Sequence, residues 1–475
     1  MSTPTDSSAP PVAPEQASVW GAIKSSLRGH REDYTRLPLP RAILLLALPM
    51  ALELVMESTF GVVDLFFVGK LGPEAVATVG LSGSVIILIF AVALGLSIGA
   101  TAVVSRRIGE GDEEGAAVAA VQAILAGIVF SIPMSIAGVL LAPNLLRWMG
   151  GSEDVVAGWG YTAWLFGGST TIFLLFLNNA IFRGAGDAAI AMRSLWLANL
   201  LNMALDPCLI FGLGPFPELG LNGAAIATTI GRGTGVLFQF WVLARGGRRV
   251  EVHARHLRYS PEAMRGLLKV SVNGMLQFFV GTASWLGMNW IVARFGDQAI
   301  AGFTIAVRLI HFAILPSWGM SNAAATLVGQ NLGAKQPDRA EQSVWLTGRY
   351  NLIMLMTIAV IFWTFAEPLV RIFSDAPGVI EPGVTAVRVS AFAYCFSAYS
   401  MVFSNAFNGA GDTWTPTKIN FAVLWIFQLP LAYSLGHVFG WGLTGVLSAM
   451  VCAQAIWAVV GGLVFRTGSW KTRTV

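Results

Sequence analysis

Apolar stretches of about 20 residues or more recur almost without a break from Arg41 to Phe465, and each is long enough to cross a lipid hydrocarbon core as a helix. Lipid cannot satisfy backbone N–H and C=O groups, so each stretch must pair its own, which an α-helix does. Hydropathy places twelve spans at about 41–68, 75–105, 116–142, 155–182, 188–213, 223–244, 262–293, 299–329, 340–366, 383–407, 415–437 and 443–465. The expected fold class is therefore an all-α polytopic membrane protein. Only 12% of the residues are charged, against about 25% in an ordinary soluble protein, which excludes a soluble globular enzyme.

Basic residues concentrate in alternate loops: Lys24 to Arg41, Arg106 and Arg107, Arg183 and Arg193, Arg245 to Lys269, Lys335 with Arg339, Lys418, and Lys471 with Arg473. The positive-inside rule makes these loops cytoplasmic, so both termini are expected in the cytoplasm, with the chain in the cell (inner or plasma) membrane. Residues 1–40 open with a Pro/Ser-rich run and read as a disordered cytoplasmic tail, without the apolar core of a secretory signal. Residues 246–261 read as a basic cytoplasmic linker between two bundles, 41–245 and 262–466, and 467–475 as a second tail. The net charge of +4 does not imply a nucleic-acid partner. Cys208, Cys395 and Cys452 lie in apolar runs without metal or redox spacing and read as packing residues.

The two bundles are copies. A shift of 224 residues aligns Gly72-Pro-Glu-Ala75 with Gly296-Asp-Gln-Ala299, Gly95 with Gly319, Ala100 with Ala324, and Gly109 with Gly333. A shift of 225 superposes Gly184-Ala-Gly-Asp187 on Gly409-Ala-Gly-Asp412. These Gly-rich tetrapeptides follow no strand and read as structural turns, not phosphate loops. Each copy holds six spans, an even number, so both keep one orientation about an axis along the membrane normal, as in parallel-repeat transporters. No Gly-rich nucleotide loop ending in Lys-Ser/Thr accompanies them, which argues against an ATP-driven pump. The internal pseudo-twofold argues against a channel built from identical subunits. Secondary transport by rocking of two bundles is the expected class, and one chain suffices as a monomer.

Ionisable groups inside lipid are costly and are functional candidates by default. The first span carries Glu53, Glu57 and Asp64 on one helical face, and the fifth carries Asp206. Counted from the cytoplasmic boundary, Asp64 and Asp206 fall in the outer half of the membrane. Thr228 lies just below the outer start of its span, so the three can share a pocket. Asn202 precedes Asp206 by four residues and adds an amide on the same face. Such an oxygen-rich pocket suits a hard cation. Alternatively, two nearby, partly desolvated carboxylates can trade a proton near neutrality. Glu53 and Glu57 read as substrate contacts or a proton relay, or as partners of a buried arginine.

Several segments, taken in order, resemble one family. They are Leu48-Pro49, Val63-Asp64 before Phe67-Val68-Gly69-Lys70-Leu71-Gly72, Asn202-Met-Ala-Leu-Asp206-Pro207, Gly223-Ala-Ala-Ile-Ala-Thr228, and Leu327-Val-Gly-Gln-Asn-Leu-Gly-Ala334. Over about residues 38–465 the chain resembles the multidrug and toxic compound extrusion (MATE) transporters. The resemblance implies two six-helix lobes in a V, a central cavity, and export of amphipathic organic cations or other amphiphiles in exchange for protons or sodium. It also implies that Asp64, Asn202, Asp206 and Thr228, with Asn179 nearby, form the cation or proton site, that sodium would sit on the first four, and that no cofactor beyond the coupling ion is needed. Protonation or ion binding there would bend or release the first span and expel the substrate.

The second half departs from this pattern, since Met288 stands opposite Asp64 and Leu431 opposite Asp206. The sodium-coupled bacterial branch has a Glu in the seventh span and an Asp in the tenth. Here the seventh has Gln277-Phe-Phe-Val280 and residues 391–407 are uncharged. The resemblance is therefore closest to the DinF-like or archaeal-type branch, with coupling in the first lobe and protons the leading ion. A flippase for a lipid-linked headgroup is the alternative within the same broad fold, but it would need a cationic cavity. A membrane-embedded enzyme would need motifs such as HExxH or DDxxD, and neither occurs.

Overall fold

Proline and glycine punctuate the apolar runs. Pro40, Pro73, Pro261, Pro337 and Pro377 sit in the first turn of their helices, where the missing N–H costs nothing. Gly111, Gly186 and Gly212 close helices in the left-handed conformation that glycine adopts without strain. The computed structural model describes residues 19–29 and 32–474, which contain helices and no strand. The first lobe comprises α2 (Leu39–Gly69), α3 (Pro73–Glu110), α4 (Glu113–Trp148), short α5 (Glu153–Ala157), α6 (Trp159–Gly167), α7 (Ser169–Ala185), α8 (Ala188–Phe211) and α9 (Leu221–Arg245), preceded by α1 (Val19–Arg28). The second comprises α10 (Pro261–Ala293), α11 (Asp297–Gly333), α12 (Pro337–Thr364), short α13 (Ala366–Arg371), α14 (Pro377–Gly409), α15 (Trp414–Asn420), α16 (Leu429–Tyr433) and α17 (Gly442–Arg466).

Among the described residues, 9 stretches are long and apolar enough to cross a membrane, and α6 with α7, bent by 44°, makes 10. The polar-rich α9 and α10, 25 and 33 residues long, complete the expected twelve. The fourth crossing is thus broken at Gly168 where hydropathy predicts a continuous span. The eleventh, Trp414–Val438, widens into π-helical turns over Phe421–Gln428 and Ser434–Val438.

The lobes meet where side chains vanish. A Cβ on Gly95 would collide with the Met275 backbone and one on Gly319 with the Ala51 backbone; one on Gly109 would strike the Gln330 carbonyl, and one on Gly333 the Arg106 carbonyl. These are repeat-related pairs, so α3 against α10 and α11 mirrors α11 against α2 and α3. The contacts fall in the halves of these helices nearest the face that carries both chain ends. Toward the other face, a groove of about 350 Å³ opens between α3 and α10 beside Val85, Leu88, Phe279 and Leu286.

The segments expected as loose tails are ordered where they are described; residues 1–18, 30, 31 and 475 of the expected tails lie outside the described residues. Helix α1 packs on α2, with Ser26 Oγ donating to the Leu45 carbonyl at 3.2 Å and Arg193 to the Leu27 carbonyl at 2.6 Å. Buried Tyr34 donates to the Gly186 carbonyl of the first lobe at 3.0 Å, and Arg339 of the second lobe donates to the Tyr34 carbonyl at 3.2 Å. At the other end Trp470 is fully buried and stacks on Phe465 at 4.7 Å. The two repeat-related turns carry the same ion pair, Asp187 with Arg248 at 3.7 Å and Asp412 with Arg473 at 3.6 Å. Both arginines follow the last helix of their lobe. The linker is anchored too, since Gln122 donates to the Arg258 carbonyl at 2.8 Å.

Candidate functional site

The three acids of α2 point into the first lobe, as their shared face predicts, and each meets a different environment. Glu53, 1% exposed, accepts at Oε1 from the Arg183 guanidinium at 2.6 Å and from Asn179 Nδ2 at 2.9 Å. Asn179 Oδ1 in turn accepts from Gln239 Nε2 at 2.6 Å. One turn on, Glu57 accepts from Asn199 Nδ2 at 3.0 Å and pairs with Arg232 at 3.3 Å. The Arg232 guanidinium also lies 6.0 Å from the Phe60 ring centre and 5.7 Å from that of Phe90, close enough for cation–π attraction. Both glutamates are therefore charge-compensated inside the lobe.

The aspartates are not. Asp206 is 0% exposed and neither of its carboxylate oxygens has a hydrogen-bond partner in the protein. Asp64 Oδ1 is likewise buried and unpartnered, as is Asn202 Oδ1. Asn202 Nδ2 is occupied, donating to Thr228 Oγ1 at 2.9 Å, so the side chain turns its bare oxygen elsewhere. Asp64 and Asp206 interact electrostatically with each other, buried Tyr161 lies in the field of both, and Arg232 is the cation that acts on Asp64. The result is a set of buried acceptor oxygens without protein donors, from α2 and α8 with Thr228 of α9 beside them. Burying an uncompensated charge is costly, and a cluster of acceptor oxygens of this kind is chemically suited to a proton or a hard cation.

The structure thus joins Asn202 to Thr228 and couples Asp64 to Asp206, but hydrogen-bonds Asn179 into the separate Glu53 group. It also corrects the reading of Arg183 as a loop residue: its side chain is 11% exposed and its partner is Glu53. Sequence reasoning missed Tyr161, Asn199 and Gln239. Asn199 had a signal, since Asn199, Asn202 and Asp206 follow helical spacing on one face of α8. Tyr161 and Gln239 had none, because their neighbours come from interhelix packing.

Two six-helix repeats that cross a membrane, one enclosing bare carboxylates, define a polytopic transporter. The chain belongs to the MatE family of multidrug efflux transporters, whose model matches residues 49–208 and 275–434, one match in each lobe. It is 29% identical over 443 residues to the probable multidrug resistance protein NorM of Thermotoga maritima, spanning 92% of this chain and 94% of that one. It is 28% identical over 414 residues to a Shewanella oneidensis protein named as an FAD transporter, spanning 87% of this chain and 91% of that one. A solved structure of the outward-facing conformation of a multidrug resistance MATE family transporter matches with a TM-score of 0.86 at 26% identity, covering 95% of this chain and 99% of that one. The resemblance read from the sequence is confirmed for family and fold.

Proposed function

We propose that the chain is a secondary antiporter that exports amphipathic organic cations in exchange for protons, coupled at Asp64 and Asp206 of the first lobe. The observation that carries this is Asp206, fully buried with both carboxylate oxygens unpartnered. Protonation removes the uncompensated charge and lets the lobe close; deprotonation demands either water or a cationic replacement. Asp64 shares the load, and Asn202, oriented by Thr228, offers the third oxygen. Pro207 interrupts the helix next to Asp206, and Pro49 interrupts α2 below Glu53, so both helices that carry the aspartates have a place to bend. The same oxygens suit a sodium ion, hard and oxygen-seeking. In this reading the face with both chain ends is cytoplasmic, the membrane is the inner or plasma membrane, and a monomer is the working unit.

Efflux of a fluorescent organic cation from proteoliposomes, with pH and sodium gradients imposed separately, tests the reading. Transport driven by the pH gradient alone supports the proton site. A strict sodium requirement converts the same oxygens into a sodium site, and no transport under either gradient sinks the antiporter.

A further inference from the structure

A cavity of about 290 Å³, lined by neither Asp64 nor Asp206, lies between α3 and α7 of the first lobe and α10, α11, α14, α17 and the eleventh crossing of the second. Its chemistry is unlike that of the acidic pocket. Six carboxamide side chains line it, and Arg183 is the one charged residue among its described walls. No acid is present to balance a cation. Two of the amides are incompletely used: Gln277 Nε2 donates to Ser404 Oγ at 3.0 Å, while Gln277 Oε1 and the Oδ1 of Asn408, itself 5% exposed, are buried with no partner. Buried acceptors of this kind are rare, and a donor brought in by water or a ligand is what they lack.

The flat walls are indoles. Trp457 donates through Nε1 to Asn420 Oδ1 at 2.7 Å, which fixes its ring, and Trp318 packs 5.9 Å from Phe278. Leu424, from the π-helical stretch of the eleventh crossing, completes this side, and such widened turns often mark functional sites. Aromatic walls select planar molecules, and carboxamides pair side by side with the N–H and C=O edges of heterocyclic bases. The volume is at the small end for a ligand pocket, enough for one fused ring system.

We propose that this cavity is a second cargo site, for an uncharged planar heterocycle that presents N–H donors beside carbonyl acceptors. Gln277 and Asn408 take the donors, Trp318 and Trp457 bound the ring faces, and Arg183, already neutralised by Glu53, leaves the walls without a net charge that would draw in an ion. What the site serves rests on the reading of the chain as an exporter; whether it binds does not.

The test is equilibrium binding of tritiated hypoxanthine to the full chain in lipid nanodiscs, with the ring-methylated cation 1-methylnicotinamide as competitor. Expected is saturable hypoxanthine binding that 1-methylnicotinamide does not displace, weakened at least about tenfold by Asn408→Leu and by Gln277→Leu, the equivalent of one lost hydrogen bond each. Absence of saturable binding to the unaltered chain, displacement by the cation at equal concentration, or unchanged affinity in both variants overturns the proposal. Because the first two readouts need no variant, a misfolded variant does not rescue it. Hypoxanthine binding should persist in Asp206→Asn, so a chain that binds hypoxanthine but shows no gradient-driven cation efflux loses the antiporter reading and keeps the cavity.

Discussion

The Arg183 guanidinium meets Glu53 Oε1 at 2.6 Å and ties the end of α7 to the middle of α2, both side chains almost entirely buried. Removing one member of such a pair leaves a naked charge, at a cost of about 3–5 kcal/mol. Arg183→Met alone should therefore lower thermal stability in detergent severely, while Arg183→Met with Glu53→Gln should recover most of the loss. A double variant no more stable than the single would mean that the pair acts through packing alone.

Asp206→Asn and Asp64→Asn should each abolish gradient-driven efflux while expression and thermal stability hold, since neither carboxylate carries a hydrogen bond that the fold needs. Efflux from proteoliposomes is the readout, and normal transport in both variants removes the first-lobe site.

Glycine at the lobe contact makes a steric prediction. In Gly109→Leu the side chain has no room beside the Gln330 carbonyl, so α3 and α11 must part at the face that carries the chain ends. Ser105, 0% exposed and packed on Gly329 of α11, reports on that parting. In a background lacking Cys208, Cys395 and Cys452, a Ser105→Cys thiol should react with a soluble maleimide at least about tenfold faster when Gly109→Leu is added, the equivalent of a shift of about 1.4 kcal/mol toward the open lobes.

The docked carboxyl-terminal segment has a definite response to pH. The Lys471 ammonium is held above its ordinary value of 10.5, chiefly by its hydrogen bond to Glu341 and then by Asp338. A raised lysine stabilises the folded segment fully below its unfolded value and loses that contribution only as pH rises through the raised one. Carboxypeptidase trimming should therefore stay slow and flat from about pH 6 to about pH 9, and Lys471→Met should speed it across that range. Equal trimming of both proteins would show that Trp470 and the Arg473–Asp412 pair hold the segment without help from Lys471.

Much of this was legible in the sequence, for physical reasons that also mark where legibility ended. Lipid forces long apolar helices, so the crossings could be counted, and only the break at Gly168 and the π-helical turns of the eleventh crossing escaped. Asp64 and Asp206 stood out because a carboxylate in an apolar run is costly. Their bareness did not, since a missing donor is a property of neighbours brought from α6 and α9. Arg183 was hidden by its place among loop arginines, where a helix one turn longer conceals it in the bundle. The amide cavity gathers residues from seven crossings, each unremarkable in its own stretch.

The matching Asp187–Arg248 and Asp412–Arg473 pairs make the piece that joins the lobes and the piece that ends the chain the same structural part used twice. Each half carries its own ion-paired clasp, to which Arg106 of the first lobe adds a hydrogen bond to the Arg473 carbonyl of the second. A cut in the joining segment beyond Arg258 would sever one peptide bond and spare both clasps, so two separately translated halves would meet in the bilayer as ready-made partners, the way subunits of a dimer do.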